Sequence, residues 1–491
     1  MKKIVLLLIM AAGLLSCTKE LISQEEAPAE VPMEFEFNIA GTKASKTDWE
    51  DGDEIFISFK GLAGKFLFMY YYEETQEWNI SYNNLKPSDF ENLDELTLTA
   101  VHVAPYVSDC GYDPDLQLFF FFDVDDTPLT NYYLSQTGVP YTVDGNKVTA
   151  SFTMEKPEGV VLFHTAFDDE VVIDSDYTLA SPQVCPVVLV GVNLDGTIRT
   201  EVRQPGARMN GFPDEDGTIF TGLLADPAAT AYTFTFASNE EFYTLEYNSA
   251  LTPGKQYNFP KQSDSRWEQT HTNELYVDLG LTSGTKWAKR NLGALNPGHQ
   301  GNYYAWAELQ PKKSYKWQTY LWMAEGYEEE ITEGTNPWRF ISKYTIPDER
   351  TGAIWYDGTT FIGDGKGSLM DDDYIDDAAR AALGGKFRIP TKEDWQELIE
   401  ECDWTWKTTE DGYYNNGFLI TGPNENVIFL PAGGWKENAI SDRGLSGLYW
   451  ASSVRENHSR DACYLTFDST FGQTVSYLDR FTGLSIRPVY K

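Results

Sequence analysis

Histidine, cysteine and basic side chains are all scarce in this chain. The five histidines stand at 102, 164, 271, 299 and 458, too far apart for HExxH or a similar helical metal-ligand spacing. Lys and Arg number 38 against 75 Asp and Glu, a formal net charge of −37. Phosphate binding needs cationic surface, so a surface this acidic excludes most nucleic-acid roles. The five cysteines form no CxxC pair, which leaves zinc and thioredoxin chemistry without ligands. Neither GxSxG nor a glycine-rich phosphate loop occurs. Asp214-Glu215-Asp216-Gly217 lacks the remaining ligands of a calcium loop. Carboxylates are too abundant for any one pair to stand out as a glycosidase site. No metal, cofactor or catalytic residue is therefore expected. Long apolar runs are also missing after the first residues, so no later segment reads as a transmembrane helix.

What is present begins at the N-terminus. Lys2 and Lys3 precede a short apolar stretch, Ile4 to Met10, which is too brief to span a bilayer comfortably. The segment closes on Leu14-Leu15-Ser16-Cys17, which looks like a bacterial lipobox. Residues 1–16 are expected to be a lipoprotein signal peptide and Cys17 the lipidated residue, anchoring the chain to a membrane. Each buried CH₂ of such an anchor contributes ~0.8 kcal/mol. Residues 17–32, polar with Pro28 and Pro32, read as a tether. Export implies an oxidising compartment. Cys110, Cys185, Cys402 and Cys463 then remain, with three possible pairings. Buried thiols are the default expectation, and a Cys402–Cys463 bridge stays open.

Tryptophan marks the main internal boundary. Two of the 14 precede residue 260 and twelve follow it. The polar stretch 261–273 reads as a linker between unlike modules. Before it, Phe35, Phe37 and Ile39 alternate with polar neighbours. So do Val148, Ala150, Phe152 and Met154, and Tyr232, Phe234 and Phe236. A period of two buries one face of a strand. Leu118–Phe122 and Val160–Phe163 are continuous apolar runs suited to strands covered on both sides. Turn signals at Asp51-Gly52-Asp53, Asp144-Gly145-Asn146 and Asp195-Gly196 separate these strands. Two tandem β-sandwiches are expected, at 33–157 and 158–260.

These residues resemble the fimbrillin-like family of surface lipoproteins and pilus subunits. The resemblance rests on the lipobox, on TKASKTDWEDGDEIFIS (42–58), on VTASFTMEKPEGVVLF (148–163) and on LTPGKQYNF (251–259). Trp49, Gly52, Asp53, Pro253, Gly254 and Lys255 occupy the matching places. The resemblance implies transthyretin-like sandwiches and, in pilus members, assembly with other pilus subunits by strand donation. In physical terms Gly52 and Gly254 supply turn geometry, and Trp49 plugs a sandwich end.

After residue 273 the pattern changes. Asp376 and Asp377 can cap a short helix that ends at Gly384-Gly385. Thr391 and Asp394 form a capping box for a second. Trp395, Leu398, Ile399 and Cys402 fall at i, i+3, i+4 and i+7, one buried helical face. Strands are expected at 417–421, 427–430, 449–452, 463–467 and 485–489. Residues 274–491 resemble the major paralogous domain family, a branch of the C-type-lectin-like fold related to sulfatase-modifying enzymes. The phrases that carry this are VDLGLTSGTKWAKRNLGA (277–294), NYYAWAE (302–308), DDAARAALGGKFRIPTKEDWQELIEEC (376–402), IFLPAGGW (428–435), GLYWASS (447–453) and GLSIRPV (483–489). The resemblance implies a compact α+β domain with long surface loops. Formylglycine-generating relatives use a close cysteine pair near the domain's end, whereas the end here, GLSIRPVYK, has none. The calcium-holding tripeptides of sugar-binding lectins are also missing from this module.

Binding is the better expectation. Arg455, Asn457, His458, Arg460 and Asp461 lie between two expected strands, and Tyr477, Asp479, Arg480 and Phe481 precede the last strand. In C-type-lectin-like folds the equivalent late loops commonly form the ligand face. Cations in so acidic a chain would also stand out as local positive spots. An ordinary solvated loop is the alternative. Tyr303, Tyr304, Trp306, Trp317, Tyr320, Trp322, Trp338 and Trp355 could stack on a ligand or simply fill the core. The acidic run Asp371-Asp372-Asp373 with Asp376 and Asp377 reads as solvated loop plus helix caps. The whole describes a non-enzymatic, outer-membrane lipoprotein exposed at the cell surface or on a fimbrium. Adhesion to a host or microbial protein or glycan is the expected role, as a pilus tip or accessory subunit. A glycan-capturing lipoprotein of a nutrient-uptake system and a hydrolase or modifying enzyme are the alternatives.

Overall fold

The computed structural model describes residues 32–40, 49, 53–103, 109–122, 133–155, 161–165, 178–210, 212–214, 217–261, 264–330, 335–348, 352–408 and 416–491. The expected signal peptide, Cys17 and the tether up to residue 31 lie outside them, as do Asp51 and Gly52. The described chain is mostly β-strand arranged in several sheets.

The first sheet has seven strands, in the order Glu34–Ala40, Lys147–Thr153, Tyr133–Asp144, Thr97–Val103, Glu54–Phe59, Phe66–Tyr72 and Glu77–Asn83. The expected alternation holds: Val148, Ala150, Phe152 and Met154 are all buried. They share a core with Ile55, Ile57, Leu67, Met69, Leu98 and Leu134. Trp49 meets Trp78 at 5.0 Å and His102 at 5.2 Å, both edge-on, and packs against this core. The opposite face of the central strands carries Phe56, Phe66, Phe68 and Val101. These pack against Phe119, Phe121, Leu189 and Val192. A strand covered on both faces must be apolar at successive positions, as Glu54–Phe59 is.

That second face crosses the boundary expected at 157. The strand Leu118–Phe122 pairs antiparallel with Val184–Asn193, in the register Phe120 to Gly191 and Phe119 to Val192. Gly191 is required there, because a Cβ would meet the Phe119 carbonyl oxygen at 1.9 Å. The second sheet runs Gln256–Asn258, Val161–Thr165, Gly217–Ala225, Val184–Asn193, Leu118–Phe122 and Asp109–Asp113, with Ile198–Val202 and Phe212–Asp214 alongside. Residues 33–157 are thus not closed on themselves. A fragment ending at 157 would expose Phe119 and Phe121, at about 1.5–3 kcal/mol for each uncovered side chain. It is expected to show no cooperative urea transition, whereas the full chain should. A sharp transition in the fragment would refute this.

Val161, Phe163, Val184 and Leu223 of the second sheet pack on Leu179, Phe234, Phe236, Tyr243 and Leu245. The latter belong to a five-stranded sheet: Met209–Asn210, Thr178–Ala180, Tyr232–Ala237, Glu241–Tyr247 and Glu268–His271. Its last strand corrects the linker expected at 261–273, since Glu241 pairs with His271 and Thr244 with Glu268. Trp267 is buried just before it and donates its indole N–H to the Pro260 carbonyl at 3.0 Å. An edge strand pairs through its backbone, so its side chains need carry no apolar period.

The C-terminal part combines small sheets with short helices, among them Tyr327–Glu330, Ala378–Leu383 and Lys392–Glu401. One sheet joins Tyr276–Asp278, Lys286–Ala288, Val489–Tyr490 and Phe387–Arg388. Two antiparallel meanders follow, Asp403–Lys407 with Gly417–Thr421 and Val427–Pro431, then Ser446–Arg455 with His458–Asp468 and Gly472–Asp479. The helix Ala378–Leu383 starts on Asp377, whose carboxylate accepts from the amides of Ala379 and Arg380 at 2.9 Å, and ends at Gly384 with φ 65°. The helix Lys392–Glu401 starts on the capping box. The Thr391 hydroxyl accepts the Asp394 amide at 3.1 Å, and Asp394 accepts the Thr391 amide at 2.8 Å. Trp395, Leu398 and Cys402 then face the core.

Asp394 also takes the Arg388 guanidinium at 2.6 Å. Burial alone would raise its carboxyl, but Arg388 and the Thr391 donors outweigh that and hold it below the usual range. A lowered folded value contributes stability above the unfolded value near 4 that is lost as pH falls through the folded value. Asp394→Asn should cost about 1–3 kcal/mol at pH 7 and flatten the loss of stability below about pH 4. Urea midpoints between pH 2 and 7 read both effects.

The two halves are packed together. Gln204 donates to Asp376 at 2.7 Å and to the Ala307 carbonyl at 3.0 Å, and accepts the Leu309 amide at 3.0 Å. Tyr490 donates to the Asn239 carbonyl at 2.7 Å. Ala207 lies in the same core cluster as Trp306, Ala378 and Trp450. Gly384 and Gly385 allow the approach, because a Cβ on either would meet Ala237 or the Ser238 carbonyl at 2.5 and 2.6 Å.

Candidate functional site

The segment 453–464 is a strand, a turn and a strand, where a loop was expected. Ser446–Arg455 and His458–Asp468 are joined through Glu456 and Asn457, the latter at φ 58°. Asn tolerates that left-handed conformation better than most residues. Strand formation survives the polar sequence because the side chains pair across the meander. Arg460 forks onto Asp479, with Nη2 to Oδ2 at 2.7 Å and a second contact from Nε. That hydrogen bond holds Arg460 above its ordinary value. Asp461 lies opposite Asp479 in register. It has Arg455 at 3.5 Å and Arg460 at 3.6 Å. The Arg455 guanidinium rests 4.9 Å from the Tyr477 ring. Half-buried His458 pairs with Arg455 in the ladder, and Asn457 is exposed in the turn.

The structure therefore brings Arg455, Asp461, Arg460, Asp479 and Tyr477 into one surface ladder. Two arginines and two aspartates neutralise each other there, so the expected positive spots are largely cancelled. Cross-strand pairs of this kind are worth ~0.2–1 kcal/mol each. They hold the meander as much as they offer a ligand anything.

Arg480 departs from the surface role expected of it: it is 0% exposed. Its Nε donates to the Tyr320 hydroxyl at 2.9 Å. Nη1 donates to the Tyr344 and Ser459 carbonyls, both at 3.0 Å, and Nη2 to the Lys343 carbonyl at 2.9 Å. The guanidinium also lies 4.7 Å from the Trp306 ring. Arg480 is a post that joins two loops to the strand His458–Asp468. Phe481 separates from the ladder as well. It meets Trp317 at 4.9 Å in an aromatic cluster with Tyr303, Tyr315 and Tyr320.

The aromatic residues of 303–355 divide in the same way. Tyr303, Tyr304, Trp306, Tyr320 and Trp355 are buried, and Trp317, Trp322 and Trp338 are partly exposed. Indoles locked by main-chain acceptors include Trp306 on Ala451 at 2.8 Å, Trp322 on Ala307 at 2.9 Å, Trp450 on Tyr304 at 2.8 Å and Trp395 on Trp450 at 3.2 Å. The acidic run is also internally engaged. Lys343 reaches Asp372 at 2.6 Å and Asp376 at 2.5 Å, Lys366 pairs with Asp372, and Tyr344 donates to Asp376 at 2.8 Å. Asp371 accepts the amides of Gly367 and Ser368 at 2.8 and 2.9 Å.

Cys110, Cys185, Cys402 and Cys463 are all unbridged. Burial pushes the Cys402 thiol up to about 11 and raises those of Cys463 and Cys185. Such thiols are almost wholly protonated at neutral pH and make weak nucleophiles.

Sequence reasoning passed over one group of residues. Lys312, Lys313 and Lys316 sit beside Trp317, and Trp435 and Lys436 come from a segment more than a hundred residues later. A run of lysines inside a chain of net charge −37 was the available signal. The partner segment could not be found without the fold.

No protein-family model and no curated protein matches the chain. Similar solved structures include a fimbrial protein from Bacteroides ovatus, at 10% identity and TM-score 0.23, covering 94% of this chain and all of that one. A proposed cell adhesion protein from the same species is 13% identical at TM-score 0.25, covering 50% of this chain and 96% of its own. A pilus adhesin from Lactobacillus rhamnosus is 12% identical at TM-score 0.11, and the match covers 46% of this chain and 31% of the adhesin. Scores this low do not establish a shared fold.

Proposed function

We propose that this is a lipid-anchored surface protein of adhesion or recognition. In this reading Cys17 carries the lipid, the N-terminal β units form a fimbrillin-like stalk, and residues 274–491 form a C-type-lectin-like head. One observation carries the reading more than any other. Segments of the C-terminal part place polar and aromatic side chains wholly or partly at the surface, Trp317 early and Arg455, Tyr477 and Phe481 late, while the buried carboxylates and thiols are tied up or protonated. Groups held in that way suit contact better than catalysis. Association with pilus subunits by strand donation belongs to the same reading. The first sheet ends on Glu34–Ala40 and Glu77–Asn83, each paired on one side only among the described residues.

Cells displaying the full chain should adhere to a mammalian or bacterial surface, and cells with Cys17→Ala should release the protein and lose adhesion. Undiminished adhesion of cells lacking the chain would overturn the reading. Regular spacing of the protein along a fibre shaft would overturn its placement at a tip.

A further inference from the structure

Three segments distant in sequence meet on the C-terminal part. The segment 312–320 is tied to the hairpin 435–441 by the Tyr315 amide on the Glu437 carbonyl at 3.0 Å and by the Ser314 hydroxyl on Asn438 at 2.7 Å. Lys436 and Gly483 exchange two backbone hydrogen bonds at 2.9 Å, which brings in Phe481. Lys312 and Lys436 lie 5.5 and 5.6 Å from the Tyr315 ring. Trp317, Trp435 and Phe481 are partly exposed around them, and Lys313 and Lys316 are exposed.

The charge balance here differs from that of the Arg455 ladder. Lys312 is matched by Glu308 at 2.7 Å. Lys436 donates to the Lys312 carbonyl at 3.4 Å, and no ion pair joins Lys313, Lys316 or Lys436 to a carboxylate among the described residues. Acids near the patch include Glu437, exposed in the hairpin, Asp442, which accepts the Trp435 indole at 3.3 Å, and those of the helix Tyr327–Glu330, whose Tyr327 hydroxyl donates to the Trp317 carbonyl at 3.4 Å. Cationic charge is left over at a place where flat aromatic faces reach solvent.

We propose that this patch binds an acidic glycan, one carrying carboxylate or sulfate groups on its sugars. Sugar C–H faces stack on Trp317 and Phe481, and the ammonium groups of Lys313, Lys316 and Lys436 pair with the acidic groups. A glycan with isolated charges fits better than a nucleic acid. Screening acts over about 8 Å at physiological salt, so sparse charges meet only the patch. A continuous polyphosphate would also run across the acidic surroundings. The proposal rests on the recognition reading given above and names its ligand class.

The test uses the chain from residue 18 onward, titrated by calorimetry at 150 mM salt. Its probes are sialyllactose, lactose 3′-sulfate, neutral dextran and a single-stranded oligonucleotide. Sialyllactose separates a requirement for carboxylate from one for sulfate. Binding to at least one of the two acidic glycans, at least ~10-fold tighter than to dextran, is expected. The double variant K313E/K316E should weaken it at least ~10-fold, and Trp317→Ala should do so without changing the salt dependence. Arg455→Ala, outside the patch, should leave it unchanged. Equal binding of dextran, undiminished binding by the lysine variant, or tighter binding of the oligonucleotide would each overturn the proposal. Both lysines are exposed, so loss of fold does not confound the result, and circular dichroism checks it. Cells displaying K313E/K316E separate the two levels. Retained adhesion refutes the patch alone, whereas non-adherent wild-type cells refute the recognition reading.

Discussion

Arg480→Leu should lower the unfolding free energy of the C-terminal part by about 3–5 kcal/mol. The guanidinium donates to three main-chain carbonyls and one tyrosine hydroxyl, and no carboxylate is among these acceptors. Leucine fills part of the volume but satisfies none of them. Each buried polar group left without a partner costs about 1–3 kcal/mol. The loss is concentrated because the acceptors come from the loops around 320 and 343–344 and from Ser459 of the strand His458–Asp468, all reached by one guanidinium. Arg480→Lys keeps the charge but has three donors on a flexible stem and should recover less than half of the loss. Urea unfolding followed by tryptophan fluorescence reads the difference, since twelve of the 14 tryptophans follow residue 260. A midpoint within experimental error of the parent would show that Arg480 is dispensable. The patch formed by Trp317 and Phe481 should loosen with it, because Tyr320 is bonded to Arg480 and packs in the same aromatic cluster.

The sequence made some of this legible. Val148 to Met154 and Tyr232 to Phe236 announce their buried faces, because alternation is local and needs no knowledge of the partner strand. The helix Lys392–Glu401 is legible for the same reason: Thr391, Asp394 and the Trp395 stripe lie within one short segment. Pairing between distant segments is not local. Leu118–Phe122 reads correctly as a strand covered twice, yet nothing in it says that Val184–Asn193 supplies the cover, so the boundary at 157 fell in the wrong place. Glu268–His271 reads as linker because an edge strand bonds through its backbone. Arg480 and Arg455 are two arginines near polar neighbours in sequence, and only the fold separates a buried post from a surface pair. The site residues split for that reason.

Arg208→Met carries the other large effect, and it should uncouple the two halves of the molecule. Arg208 is half-buried between the five-stranded sheet and the helix Ala378–Leu383. Its Nε donates to the Arg380 carbonyl at 2.9 Å and Nη2 to the Ala382 carbonyl at 3.2 Å. On the other side Nη1 donates to the Thr178 carbonyl at 2.9 Å and Nη2 to the Thr235 hydroxyl at 3.0 Å. Burial pushes its guanidinium down, to about 9, with the nearby Arg380 charge acting the same way. Carbonyl and hydroxyl acceptors around it keep it protonated at neutral pH, and two of them are carbonyls of a helix end, where a cation is favoured. Methionine retains the apolar stem and removes every bond, at an expected cost of about 3–5 kcal/mol across the interface. Calorimetry should then resolve two transitions where the parent gives overlapping ones, and small-angle scattering should show a longer particle. Gln204→Ala removes three further bonds across the same interface, and the two sites are close enough to couple. The double variant should therefore fall short of the sum of the singles. A single unchanged transition in Arg208→Met would place the joint elsewhere, on the glycine contact at Gly384 and Gly385 or on Tyr490. The consequence for recognition is geometric. With the joint intact, a ligand held at the C-terminal part pulls on a body whose orientation is fixed by the β units. Without it, the same ligand is held by a part free to turn, and adhesion under flow should weaken while equilibrium binding in solution stays the same.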